Sequence, residues 1–274
     1  MRASDFFISP HGLWSSIGSA QAPRVIDVCR REVLESSSGL IPTASWQGPA
    51  PPADWSVPLD ASRPIVVTCK AGHNLSQGAV AQLRAQGLDA RVLEGGREGW
   101  TAAGLPFVSR AALERFAPAR PSLWVTRRRP KIDRVACAWL IRRFIDAEAR
   151  FLFVDPPEVA NVSKDTGAIP FDIEGVEISH EGERCSFDTL LKVFGLEDVP
   201  DLARLALIVR GADTARPNLA PEAAGLHAIS LGLSVLAGDD DHGLLVQGFT
   251  VYDAIYAWIR FAADERHNWP AKAA

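Results

Sequence analysis

Four apolar or β-branched residues run into a cysteine, a glycine-bearing loop follows, and a helical pattern begins: Ile65 to Thr68, then Cys69-Lys70-Ala71-Gly72-His73-Asn74-Leu75, then Ser76 to Gln86. No other stretch constrains the fold as tightly. The first run, with Pro64 before it, reads as a short buried strand. Ala79, Val80 and Leu83 share one face of the helix, and Gly87 supplies its C-terminal stop. The loop therefore lies at the carboxyl end of a strand and over a helix N-terminus, where unpaired N–H groups and roughly half a positive charge gather. Such a place binds oxyanions and favours thiolate over thiol, which makes Cys69 a candidate nucleophile. Lys70 and His73 add positive potential, and Gly72 lets backbone amides turn toward an anion. Asn74 and Ser76 complete the candidate anion cradle. Ser76 has a second reading as a helix N-cap, and Cys69 a second reading as an inert core residue.

The chain has 274 residues, enough for two domains, and its 47% hydrophobic content supports packed cores. A net charge of −4 does not indicate a general nucleic-acid surface. The sequence holds no apolar run long enough for a transmembrane helix, and MRASDFFISPHGLWSS lacks the pattern of a secretory signal. Cys29, Cys69, Cys137 and Cys185 show no C-x-x-C spacing, which suits a reduced cytoplasm better than a disulfide framework.

Residues 22–108 resemble a rhodanese domain. RVIDVCRREVLESSSGLIPTASW (24–46) matches that family's first strand, with Asp27, and the segment that usually reads G-H-I-P-G-A; Gly39, Leu40, Ile41, Pro42, Thr43 and Ala44 stand there. LEGGREGW (93–100) is similar to its closing G-G-x-x-x-W. The resemblance implies an α/β fold with a parallel sheet, no cofactor, and a cysteine that carries sulfane sulfur as a persulfide. The family's usual loop is C-x-x-G-x-R/S-S. The loop from Cys69 to Ser76 is one residue longer and lacks the arginine, which makes a wider cradle that can take a larger oxyanion than thiosulfate.

Composition changes across SRAALERFAPARPSLWVTRRRP (109–130), read as a short helix and then a linker. The boundary near 118 gives domains 1–117 and 118–274. Arg127 to Arg129 read as a solvated stretch or as partners of acidic groups in preference to a phosphate site. KIDRVACAWLIRRFID (131–146) is an amphipathic helix, yet Asp133 and Arg143 both fall inside its apolar arc, and Cys137 lies one turn from Asp133. A carboxylate facing a core must be paired or bound to a metal; a buried Asp–Arg pair and a ligand both remain open. FLFVDPP (151–157) reads as a strand.

VEISHEGERCSFD (176–188) holds the chain's densest set of ligand types. His180, Cys185 and Asp188 converge on one divalent ion if a turn at Gly182 folds them together, with Asp133 and Asp213 as further candidates. Imidazole with thiolate suits zinc; imidazole with carboxylates suits manganese or iron. The alternative is a polar hairpin with Asp188 capping a helix from Thr189. Further helices are expected over 201–210 stopped at Gly211, from 221 onward, and over 251–267. His227 reads as a satisfied core histidine and Asp239 to His242 as a solvated turn and N-cap.

The stretches KIDRVACAWLIRRFID, HEGERCSFD, IVRGADT, EAAGLHAISLGLS and YDAIYAWIR resemble the C-terminal domain of the chromate resistance protein ChrB over about 122–266. This implies a mainly helical α+β domain linked to chromate-responsive control of an efflux pump. Full-length members carry a DNA-binding segment ahead of it; here the rhodanese-like part stands in that place. Two readings result. One is a cytoplasmic sulfurtransferase that takes thiosulfate or another sulfur donor and passes sulfur to a thiol, acting in chromate stress. The other is a sensor whose Cys69 cradle holds chromate or another oxyanion without turnover.

Overall fold

The protein is described by a computed structural model covering residues 6–56, 59 and 61–265. Its first half runs β1 (Phe7–Ile8), α1 (Pro10–Ser16), β2 (Arg24–Asp27), α2 (Arg31–Glu35), β3 (Gly39–Leu40), β4 (Ser45–Trp46), β5 (Ile65–Thr68), α3 (Asn74–Ala85), β6 (Ala90–Leu93), α4 (Gly96–Ala102), β7 (Val108–Ser109) and α5 (Arg110–Phe116). The second half runs β8 (Leu123–Arg127), α6 (Ile132–Leu140), β9 (Arg150–Val154), α7 (Val159–Thr166), β10 (Ile169–Pro170), α8 (Ser186–Val193), α9 (Pro200–Asp213), α10 (Ala223–Ala237) and α11 (Asp241–Phe261).

Five strands form a parallel sheet in the order β1-β6-β5-β2-β4. β5 is central: Val67 lies opposite Ile26 of β2 on one side and Val92 of β6 on the other. All four of its residues are buried, as a parallel strand covered on both faces requires. Cys69 thus emerges from the middle of the sheet's carboxyl edge, where open α/β sheets place ligands. The expected face of α3, Ala79, Val80 and Leu83, is buried, but the helix begins at Asn74 and not at Ser76. His73 is its cap residue, so Ser76 does not cap; its hydroxyl turns back onto the His73 carbonyl at 3.1 Å.

The second half is mainly helical around a three-stranded parallel sheet, β10-β8-β9. β8, its central strand, arises within the stretch read as a linker; Trp124 and Val125 are fully buried there. The prolines and arginines that flank a five-residue strand hid it from a compositional reading. The expected helix over 131–146 is α6 followed by a turn of π-helix, Ile141–Ile145. α9 passes through Gly211 to Asp213, because that glycine marks close packing: a Cβ there would lie 2.8 Å from Ala223 Cβ. α11 starts at Asp241, with the Asp240 side chain accepting from the Gly243 N–H at 2.8 Å, so the acidic turn is an N-cap. Residues 266 and 267 of the expected last helix lie outside the described residues. Among the described residues no helix is long and apolar enough to cross a membrane.

One hydrophobic core spans both halves, joining Leu13, Ile17 and Trp100 to Trp139, Phe144 and Tyr256. Trp14 stacks edge-on against Trp100 and Phe144, and the Arg260 guanidinium donates to the Trp14 and Ile17 carbonyls.

Candidate functional site

The Cys69 loop is held from beneath by the first turn of α4. The Arg97 N–H donates to the Cys69 carbonyl at 2.9 Å and the Glu98 N–H to the Lys70 carbonyl at 3.0 Å. Gly95 and Gly96 both have positive φ, and a Cβ on Gly96 would lie 2.5 Å from the Gly72 nitrogen, so only glycine admits this approach. Gly72, φ 71°, is itself pressed against the Leu93 carbonyl.

Cys69 is 5% exposed, and its Sγ lies 3.2 Å from Ser76 Oγ. That hydroxyl sits between the thiol and the His73 carbonyl and can turn its proton to either. Lys70, His73 and Asn74 are exposed on the loop, and Lys70 lies 3.6 Å from Glu98, which offsets part of its charge. The other three thiols are poor nucleophiles by environment. Burial, reinforced by Asp27, pushes Cys29 up to about 12. Burial and then Asp133 push Cys137 well up, and burial, Asp133 and Asp188 do the same to Cys185.

One residue of this site escaped the sequence reading. Arg97 is buried and pairs with the fully buried Asp27 at 2.6 Å, while its other amino group reaches Ser37 and the Gly39 carbonyl. Its only sequence signal was a charged residue inside GGREGW.

The second cluster forms where α6 begins, α9 ends and the loop before α8 crosses them. His180 Nε2 lies 3.1 Å from Asp133 Oδ2, 3.4 Å from Asp213 Oδ2 and 3.6 Å from Asp172 Oδ1. One donor atom each from Asp133, His180 and Asp213 falls within 4.8 Å of the others, a spacing that can hold a metal ion. Asp133 is 3% exposed and also accepts from the Ser186 N–H. The hydrogen bond to Asp133 raises His180 to about 9. Burial, then Asp133, raises Asp213 to about 7, and the same two causes raise Asp172. Asp172, unmarked by any sequence pattern, is held by Arg127 at 3.0 Å and Arg134 at 2.8 Å.

Two of the five metal candidates stand outside this group. The turn at Gly182 does form, with Glu181 and Arg184 exchanging backbone hydrogen bonds. It delivers Cys185 and Asp188 to the start of α8, where they make a reciprocal cap; Asp188 is further gripped by the Arg210 guanidinium, Nε at 2.9 Å. Asp188 is not the N-cap residue expected of it: the helix begins at Ser186 and not at Thr189, Cys185 is its N-cap, and Asp188 closes the cap from the third helical position. Asp133 is not paired with Arg143, whose guanidinium takes both oxygens of Asp253 at 2.8 and 2.9 Å. Arg127 and Arg128 pair with acids, Arg128 with Asp155 and Asp239, in line with the acid-pairing reading. His227 is satisfied by the Ala212 carbonyl at 3.0 Å but is exposed, not core.

Comparison with known proteins matches two stretches of the chain to two families. Residues 11–103 match the family described as rhodanese-like domain, and residues 124–259 the family described as ChrB, C-terminal domain. Protein ChrB of Cupriavidus metallidurans is 41% identical over 133 residues, a stretch that covers 48% of this chain and 39% of that protein. A rhodanese-like domain protein from Staphylococcus aureus, 25% identical, covers 37% of this chain and 97% of its own, with a TM-score of 0.32. A rhodanese-related protein from Thermoplasma volcanium, 28% identical, covers 37% of this chain and 95% of its own, also with a TM-score of 0.32.

Proposed function

From a chain that joins a rhodanese-like domain, residues 11–103, to a ChrB C-terminal domain, residues 124–259, we propose a cytoplasmic sulfurtransferase that acts in resistance to chromate or a related oxyanion. The observation that carries this reading is the seat of Cys69: at the end of the central strand, before the first turn of α3, with Ser76 Oγ at 3.2 Å. The Cys69 thiolate attacks the outer sulfur of thiosulfate. A new S–S bond forms, the old one breaks, and sulfite departs with the electron pair. Amides at the start of α3 stabilise the departing oxyanion. The persulfide then gives its outer sulfur to an acceptor thiol.

The test is intact mass after incubation with thiosulfate, followed by cyanide. Wild type gains one sulfur atom and releases thiocyanate, and Cys69→Ala does neither. Wild type that gains no sulfur removes the transferase reading. A second reading, an oxyanion sensor, draws on the longer loop and the 5% exposure of Cys69; it predicts saturable sulfate or chromate binding without sulfur gain.

In the second half we propose a divalent ion held by Asp133, His180 and Asp213. Two carboxylates and an imidazole, with Cys185 drawn away into its cap, form a set suited to manganese or iron over zinc. Elemental analysis of chains exposed to the three metals checks this. Wild type should retain about one ion, while Asp133→Ala and His180→Ala lose it. Equal metal in all three proteins removes the site.

A further inference from the structure

A cavity of about 570 Å³ opens between the two halves, lined by neither the Cys69 loop nor the Asp133–His180–Asp213 cluster. Its walls come from β2, α2, β4 and α5 on one side and from the chain after α6 on the other. The volume is that of a site for a small organic molecule. Five arginines line it against three carboxylates, Glu114, Asp146 and Glu148. Most are matched: Arg24 and Arg63 reach Glu148 at 3.5 and 3.4 Å, and Arg110 reaches Glu114 at 2.6 Å.

Arg120 and the exposed Arg150 are not, and of the two Arg120 is the half-buried one. It has no ion-pair partner among the described residues, and its guanidinium donates to the Thr43 carbonyl at 3.2 Å. The acid that acts on it electrostatically, Asp146, has its oxygens committed to the Ser122 N–H at 2.6 Å, the Ser122 hydroxyl at 2.7 Å and the Glu148 N–H at 3.1 Å. Burial accordingly draws Arg120 below the ordinary guanidinium value, and Asp146 opposes the shift. A guanidinium stays charged in proteins, so one without a countercharge on a cavity wall is matched best by an anion. The cavity wall also holds the apolar side chains of Leu34, Leu40, Ala44 and Leu113. A small inorganic oxyanion would leave most of that space unfilled and those side chains without contacts.

We propose that this junction cavity binds an amphipathic organic anion, its carboxylate, sulfonate or phosphate on Arg120 and its apolar body against Leu34, Leu40 and Leu113. The site is independent of sulfur transfer at Cys69 and of the metal cluster. Because both halves wall it, occupancy raises the melting temperature of the whole chain.

Calorimetric titration of the full chain with three probes tests this: 1-naphthalenesulfonate, the uncharged 1-naphthalenemethanol, and inorganic sulfate. The sulfonate should bind once per chain, at least about tenfold tighter than either other probe, as a charged hydrogen bond in a sheltered site is worth. Arg120→Gln should abolish that preference, and Leu34→Trp, which fills the cavity from a partly buried position on α2, should abolish binding. A double variant on the exposed face of α10, Val235→Ser with Leu236→Ser, controls for adhesion to its apolar side chains, 78% and 79% exposed, and should bind as wild type does. Absence of saturable sulfonate binding overturns the proposal, as does loss in the α10 double variant. Should Arg120→Gln fail to fold, Leu34→Trp decides alone: unchanged affinity there overturns the site.

Discussion

Asp27 has no exposed surface, and a carboxylate so placed is tolerated only with a full set of partners. Arg97 binds one oxygen at 2.6 Å and the Cys29 N–H donates to the other at 2.9 Å; the other amino group of Arg97 reaches Ser37 and Gly39, so one side chain ties β2 to the chain around β3. Replacing Arg97 by Gln leaves the acid buried without its countercharge. Chemical denaturation should show a loss of about 3–5 kcal/mol. Adding Asp27→Asn should recover part of it, since both partners are then neutral; a loss below about 1 kcal/mol in the single variant would contradict a structural role for the pair. Asp27 was marked in the sequence by its place in the stretch that resembles the rhodanese first strand. Its partner was not, because a pairing over 70 residues is set by tertiary proximity and leaves no local pattern. The same holds at the second cluster: Asp133 stood out by breaking the apolar arc of α6, while Asp172 broke no pattern.

At the scale of elements, the Cys69 site was legible because strand, loop and helix are consecutive and their order alone aims the cysteine. What the sequence left unread was the support. The two glycines at the start of α4 matched a motif, but their physical role is to let α4 seat its N–H groups on the Cys69 and Lys70 carbonyls. A methyl group on Gly96 would collide with the Cys69 carbonyl oxygen and approach the Gly72 nitrogen to 2.5 Å, on a backbone with φ 58°. Overpacking of this kind costs about 1–3 kcal/mol, and the strained φ adds to it. Gly96→Ala should therefore keep the fold, shown by an unchanged far-ultraviolet spectrum, yet lose at least about tenfold in the rate of sulfur loading at Cys69, since small misplacements of reacting groups are costly. Gly78→Ala, on the same loop–helix unit with open space at the Cβ position, is the control and should load as wild type does.

At the scale of the molecule, the shift in composition after residue 109 was read as two parts, and the stretches that match two families, 11–103 and 124–259, lie on either side of it. The shift did not reveal that the parts share a core, because contacts between distant segments are not periodic. α1 lies in the seam: Leu13 is fully buried in the common cluster, Trp14 packs on Phe144, and the Arg260 guanidinium donates to carbonyls at the end of α1. Gly18 faces the Tyr256 ring so closely that no side chain fits. Two halves joined in this way should lose structure in one step, for neither can open without exposing apolar surface of the other. Hydrogen exchange against urea should give coincident midpoints for peptides from β5 and from α9. Leu13→Ala, which removes a buried side chain from the seam, should lower both midpoints together by the equivalent of about 2–5 kcal/mol. Separate transitions, with only the first half responding to that substitution, would show that the seam is too weak to couple the halves.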